Sequence, residues 1–77
     1  MAGRKRQITD QEILRAVALS PDPIVTAPEL AAELGVSRQG LNPRLQQLVD
    51  SGALEKRSVG SRAAVYWLTD DGRQALG

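Results

Sequence analysis

Apolar residues recur at three- and four-residue intervals from Ile8 to Val49, and from Leu54 to Leu68 they alternate. The first rhythm suits helices that bury one stripe, the second strands that bury one face. Ile13, Leu14, Val17 and Ala18 form the first stripe. Thr9 and Glu12 have the spacing of a capping box, in which each side chain satisfies a backbone N–H at a helix start, and Ile8 and Ile13 hold the staple positions around it. Ser20-Pro21-Asp22-Pro23 ends the helix, because proline lacks a donor and pushes the residue before it into extended backbone.

The same grammar repeats at once. Thr26 and Glu29 form a second capping box, Val25 and Leu30 a second staple, and Pro28 falls in the first turn, where its missing N–H does no harm. This helix is predicted to run to about Leu34, with Gly35 as its left-handed stop. Val36, Ser37 and Leu41 set a third staple and N-cap, and Leu41, Leu45, Leu48 and Val49 continue the stripe until Gly52. Gly40 and Pro43 disturb this helix, since an interior glycine costs about 1 kcal/mol and an interior proline about 3 kcal/mol against alanine. Asn42-Pro43 fits an N-cap and first helical position. The sequence therefore predicts a kink, or a regular helix starting only at residue 43 after one irregular turn.

Leu54 to Ser58 and Ala64 to Leu68 read as strands of a hairpin around Val59-Gly60-Ser61-Arg62. Tyr66 and Leu68 are expected to face the core with Leu54, and Val65 and Trp67 to face outward. Thr69 is placed to cap a short last helix whose Asp70 and Asp71 meet the positive end of its dipole. The predicted architecture is mostly α with a small β-hairpin (α+β): a flexible basic arm over residues 1–7, then one domain over 8–77.

Length changes the picture only by setting a limit: 77 residues hold one small domain. Composition removes most chemistry. With no Cys and no His, the chain has no disulfide, thiolate nucleophile, imidazole base or thiolate-imidazole metal site, and it contains no phosphate-binding glycine motif. The expectation is a protein that is not an enzyme and carries no cofactor. No apolar run approaches the roughly 18 residues of a membrane span, and the basic start leads into polar residues rather than a signal-peptide core. A cytoplasmic protein without membrane contact is expected.

The formal charge is only +1, but it is unevenly placed. Arg4, Lys5 and Arg6 make the arm basic, and Asp10, Glu12, Asp22, Glu29 and Glu33 against Arg15 make residues 8–37 acidic. Arg38, Arg44, Lys56, Arg57 and Arg62 outweigh Asp50 and Glu55 over residues 38–62. Local fields of this kind guide association more than the sum does.

The segment Ala27-Pro28-Glu29-Leu30-Ala31-Ala32-Glu33-Leu34-Gly35-Val36-Ser37-Arg38-Gln39-Gly40-Leu41 resembles the helix-turn-helix motif. Leu30, Leu34, Val36 and Leu41 hold its apolar positions, Ala31 the small one where the helices nearly touch, and Gly35 the turn. Downstream, Leu45 to Lys56 and Tyr66-Trp67-Leu68-Thr69-Asp70-Asp71-Gly72 are similar to small MarR-like and ArsR-like regulators, particularly archaeal ones. The resemblance implies a winged helix-turn-helix with a three-helix core, a wing and a short C-terminal helix. It further implies a sequence-preferring double-stranded DNA-binding protein, a small transcriptional regulator whose third helix enters the major groove. That family's long dimerising helices have no counterpart among these segments, and no small-molecule effector is expected.

Helical phase assigns the roles. With Leu41, Leu45 and Leu48 inward, Gln39, Gly40, Gln46 and Gln47 face outward beside Pro43, flanked by Asn42 and Arg44. Gln and Asn suit adenine, Arg suits guanine, and Gly40 lets backbone approach closely. Arg38 is placed for phosphate beside the N-cap. Lys56, Arg57 and Arg62 are placed for the backbone or minor groove, and Arg4, Lys5 and Arg6 for an arm over the minor groove. The reading expects Arg44, Arg57 and Arg62 to share one side. The alternative is a protein-interaction module using Val65 and Trp67, residues that also serve as a possible homodimer contact.

Overall fold

The computed structural model describes residues 8–60 and 63–76. The elements are α1 (Asp10–Leu19), β1 (Val25–Thr26), α2 (Ala27–Leu34), α3 (Arg38–Asp50), β2 (Leu54–Val59), β3 (Ala63–Leu68) and α4 (Asp70–Leu76). Both capping boxes form. The Thr9 hydroxyl accepts from the Glu12 N–H at 3.1 Å while Glu12 Oε1 accepts from the Thr9 N–H at 2.9 Å. Thr26 and Glu29 repeat the exchange at 3.4 and 3.0 Å. Gly35 ends α2 at φ 70, a left-handed turn at which a Cβ would be strained, and the Val36 N–H returns to the Ala31 carbonyl at 3.0 Å.

The sequence did not predict β1. Its residues are extended because Thr26 is an N-cap with φ −108 and ψ 161, and that conformation lets them add to a sheet. Val25 pairs with Tyr66 and Thr26 with Val65, giving an antiparallel three-stranded sheet in the order β1-β3-β2. The hairpin itself forms in the expected place, with Leu54 opposite Leu68 and Val59 opposite Ala63.

Helix α3 overturns the expectation of a late start. It runs unbroken from Arg38 with Pro43 inside it. The Ser37 hydroxyl caps the Gly40 N–H at 3.1 Å, and the Leu41 N–H reaches the Ser37 carbonyl at 3.1 Å, so the first turn is already regular. Leu41 and Leu45, one on each side of the proline, are both fully buried, and that packing holds the helix through it.

Ile13, Leu41, Leu45 and Leu54 form the centre of the core, ringed by Leu14, Val17, Val25, Leu30, Ala31, Leu48, Ala53 and Tyr66. Ala18, placed in the stripe by sequence, is exposed, and Ala16 packs against the core instead. Helix α4 is locked to the start of β2. The Thr69 hydroxyl lies 2.6 Å from the Gly52 carbonyl and 3.1 Å from that of Ala53, and accepts from the Gly72 N–H at 3.0 Å. Val65 and Trp67 take the sheet face opposite Tyr66, but that face is not bare: both are half-buried in a shallow groove with Val17, Ile24, Val59 and Leu68.

Candidate nucleic-acid interface

Burying Leu41, Leu45 and Leu48 at 0%, 0% and 4% exposure turns the opposite side of α3 to solvent. Gln39, Gly40, Asn42, Pro43, Gln46 and Gln47 are all exposed there, with Arg38 exposed at the helix start. From Arg38 to Val49 the helix carries no acid. Asp50 closes the row and is occupied by Gln46, whose Nε2 donates to its Oδ1 at 3.0 Å. The result is a neutral, amide-rich ridge of donors and acceptors with a cation at one end. It is one helix wide, the width that a B-form major groove admits.

Arg44 does not belong to this ridge. Its Nη2 donates to the Ile8 carbonyl, and its Nη1 lies 3.9 Å from Asp10 Oδ1. The guanidinium thus clasps α3 to the start of α1. The contact spans 36 positions in the chain and leaves no local sequence signal. Sequence reasoning placed Arg44 on the flank of the reading face and missed this role.

The hairpin separates its two adjacent cations, because side chains alternate between faces along a strand. Lys56 lies opposite Tyr66, with Nζ 6.0 Å from the ring centroid, on the face that packs toward α3. Arg57 lies opposite Val65 and joins Trp67 and Ile24 around the groove on the reverse face. The expectation that Arg44, Arg57 and Arg62 share one side does not hold: Arg44 turns to α1 and Arg57 to the back of the sheet. Arg62, like Arg4, Lys5 and Arg6, lies outside the described residues. Of the cations expected at the interface, the described ones that neither contact removes are Arg38, exposed at the start of α3, and Lys56, exposed on the hairpin.

The α1 and α2 side of the domain is lined by Glu12, Asp22, Glu29 and Glu33 with Arg15 among them. A polyanion is therefore disfavoured on that side relative to the acid-free ridge of α3. Among the described residues no cluster of acids has the makings of a metal site, and no helix is long and apolar enough to cross a membrane.

Comparison with known proteins agrees with this geometry. The family model described as MarR family matches residues 9–63. A solved MarR family transcription regulator is 33% identical, with a TM-score of 0.75, and the match covers 87% of this chain and 44% of that one. A mutant MarR from E. coli, complexed with operator DNA, is 23% identical with a TM-score of 0.78, over 87% of this chain and 48% of that one. The PcaV transcriptional regulator from Streptomyces coelicolor, in complex with its natural ligand, is 20% identical with a TM-score of 0.76 over 87% and 48%. The chain spans about half the length of these solved proteins. Comparison with curated protein sequences finds no match.

Proposed function

The chain belongs to the MarR family, and from that premise we propose that it is a transcription regulator that binds double-stranded DNA with sequence preference. Helix α3 lies in the major groove and the β2–β3 turn on adjacent backbone or in the minor groove. The observation that carries the reading is the exposed, acid-free ridge of Gln39, Gly40, Asn42, Gln46 and Gln47 on a helix whose opposite face is fully buried. Its amides supply the paired donors and acceptors that base edges demand.

Arg38 and Lys56 neutralise phosphates on either side of the ridge, joined in this reading by Arg62 at the turn and by Arg4, Lys5 and Arg6. The reading gives the chain no catalytic role and no small-molecule effector, so that regulation comes from abundance or from a partner. A second copy is assigned to the groove around Val65 and Trp67, where Ile24 and Val59 remain 45% and 51% exposed.

The test is selection from a random duplex pool, followed by binding of the enriched site across a salt series. With about five phosphates neutralised, log K is expected to fall against log salt with a slope near −4 to −5. Affinity for duplex that ignores salt, or a pool from which nothing is enriched, overturns the reading. A palindromic enriched site supports a dimer.

A further inference from the structure

Pro43 sits inside α3 with a helical turn on either side, yet its ring is exposed and belongs to no part of the core. It has no N–H. The carbonyl of Gln39, which would accept from residue 43 in an uninterrupted helix, therefore lacks its i+4 donor, and a proline ring pushes such a carbonyl outward from the axis. Residues four apart share a helix face, so this acceptor opens on the same exposed side as Gln46 and Asn42 rather than toward the core. Gly40, the next residue, has no side chain to cover it, and the space beside it is open, since a Cβ built there meets only Ser37 Oγ at 3.4 Å.

Resting on the DNA-binding reading above, we infer that the Gln39 main-chain carbonyl, freed by Pro43, is a base-reading acceptor. It accepts from the exocyclic amino group of an adenine or a cytosine in the major groove. Those are the two bases that present an amino donor there, whereas guanine O6 and thymine O4 set acceptor against acceptor. Selectivity follows from desolvation. In free protein the carbonyl is hydrated at no loss; once DNA covers it, only a base with an amino group restores the hydrogen bond. The first turn of a recognition helix is the part that meets base edges, and Gln39 is the second residue of α3. A proline that weakens the helix without filling any space in the core is thus accounted for by what it exposes.

Pro43→Ala supplies the missing donor and is the decisive variant. The full chain and Pro43→Ala are each taken through selection on a random duplex pool. The preferred duplex is then remade with the amino group deleted at single positions, purine for adenine or 2-pyrimidinone for cytosine. The wild type is expected to lose roughly 3- to 10-fold in affinity at one such position, and Pro43→Ala less than about 2-fold at the same position. The purine and pyrimidinone arms tell which base is read. Pro43→Ala is also expected to melt higher than the wild type, so reduced discrimination is not attributable to unfolding. Equal losses in both proteins overturn the proposal while leaving DNA binding intact. So does a preference that vanishes in Gln39→Ala but persists in Pro43→Ala, which assigns the reading to the amide side chain. A wild type that enriches no sequence instead overturns the functional reading on which the proposal rests.

Discussion

Gly72→Ala is a substitution for which helix propensity and packing give opposite answers. Gly72 lies within α4, where alanine is intrinsically favoured by about 1 kcal/mol. A Cβ at this position, however, would stand 2.2 Å from the Ala53 carbonyl oxygen, 3.1 Å from its carbon and 2.9 Å from Leu68 Cδ2. The leucine can rotate aside, but the Ala53 backbone cannot. It is held just before β2 by its own N–H, which donates to the Leu48 carbonyl at 2.9 Å, and by the Thr69 N–H, which donates to that same oxygen at 3.2 Å. Relief requires α4 to move off β2, and the Thr69 hydrogen bonds to Gly52 and Ala53 lengthen with it. Overpacking of this kind costs about 1–3 kcal/mol, and each weakened hydrogen bond about 0.5–1.5 kcal/mol. Set against the propensity gain, and with the hydrogen bonds lengthened rather than lost, the expected net loss is about 2 kcal/mol. A domain of this size then melts roughly 8–16 °C lower, measured by circular dichroism and cross-checked by urea denaturation with an unchanged m value. A melting temperature equal to or above that of the wild type would show that α4 is not packed on Ala53 as described.

Gly40→Ala is the opposite case: the added Cβ meets only Ser37 Oγ at 3.4 Å, so stability is expected to rise by up to about 1 kcal/mol in the same melt, while duplex affinity falls. Arg44→Ala is expected to lower stability by about 1 kcal/mol through loss of the clasp to Ile8 and Asp10, with the salt slope of DNA binding unaltered; a slope reduced by one unit would return Arg44 to the interface. Lys56→Ala should show the reverse pattern, a slope smaller by about one with little change in melting. Leu45→Ala, at a fully buried position, is expected to cost about 2–5 kcal/mol, a large share of a small domain's stability, and to broaden or abolish the cooperative transition.

The parts of the fold written in the sequence are those governed by neighbours three or four positions apart. Thr9 with Glu12 and Thr26 with Glu29 fix two helix starts without help from the rest of the chain, and Gly35 fixes the turn. Strand β1 was not legible because two residues show no alternation, and because Val25 and Thr26 already had a sufficient reading as staple and cap; their pairing with β3 depends on how α2 is brought against the hairpin. Pro43 misled for a related reason. Its penalty is a local quantity, and the burial of Leu41 and Leu45 on both sides of it is not. The candidate interface was legible as a face, since helical phase alone separates Gln39, Gln46 and Gln47 from the leucines. It was not legible as a set of cations. An arginine side chain reaches far enough to choose among partners that only the folded chain assembles, and Arg44 finds its partner in the Ile8 carbonyl.

In the proposed function, that distinction bears on how tightly and how selectively DNA would be held. Counting charges along residues 38–62 implies a strongly basic contact surface, but alternation in β2 puts Lys56 and Arg57 on opposite faces and the clasp removes Arg44. If Arg38 and Lys56 were the whole electrostatic contact, two phosphates would be neutralised and the salt slope would be only about −2. A slope near −4 to −5 therefore demands about three further cations, drawn from Arg62, Arg4, Lys5 and Arg6, and removing Arg4, Lys5 and Arg6 together should take away about two to three units of it. A slope that stays near −2 in the intact chain would instead leave a weakly charged reader, one whose discrimination rests on the amides of α3 and the open carbonyl of Gln39. Binding of that kind would be less sensitive to salt and more sensitive to single base changes, because each mismatched hydrogen bond would be a larger fraction of the total.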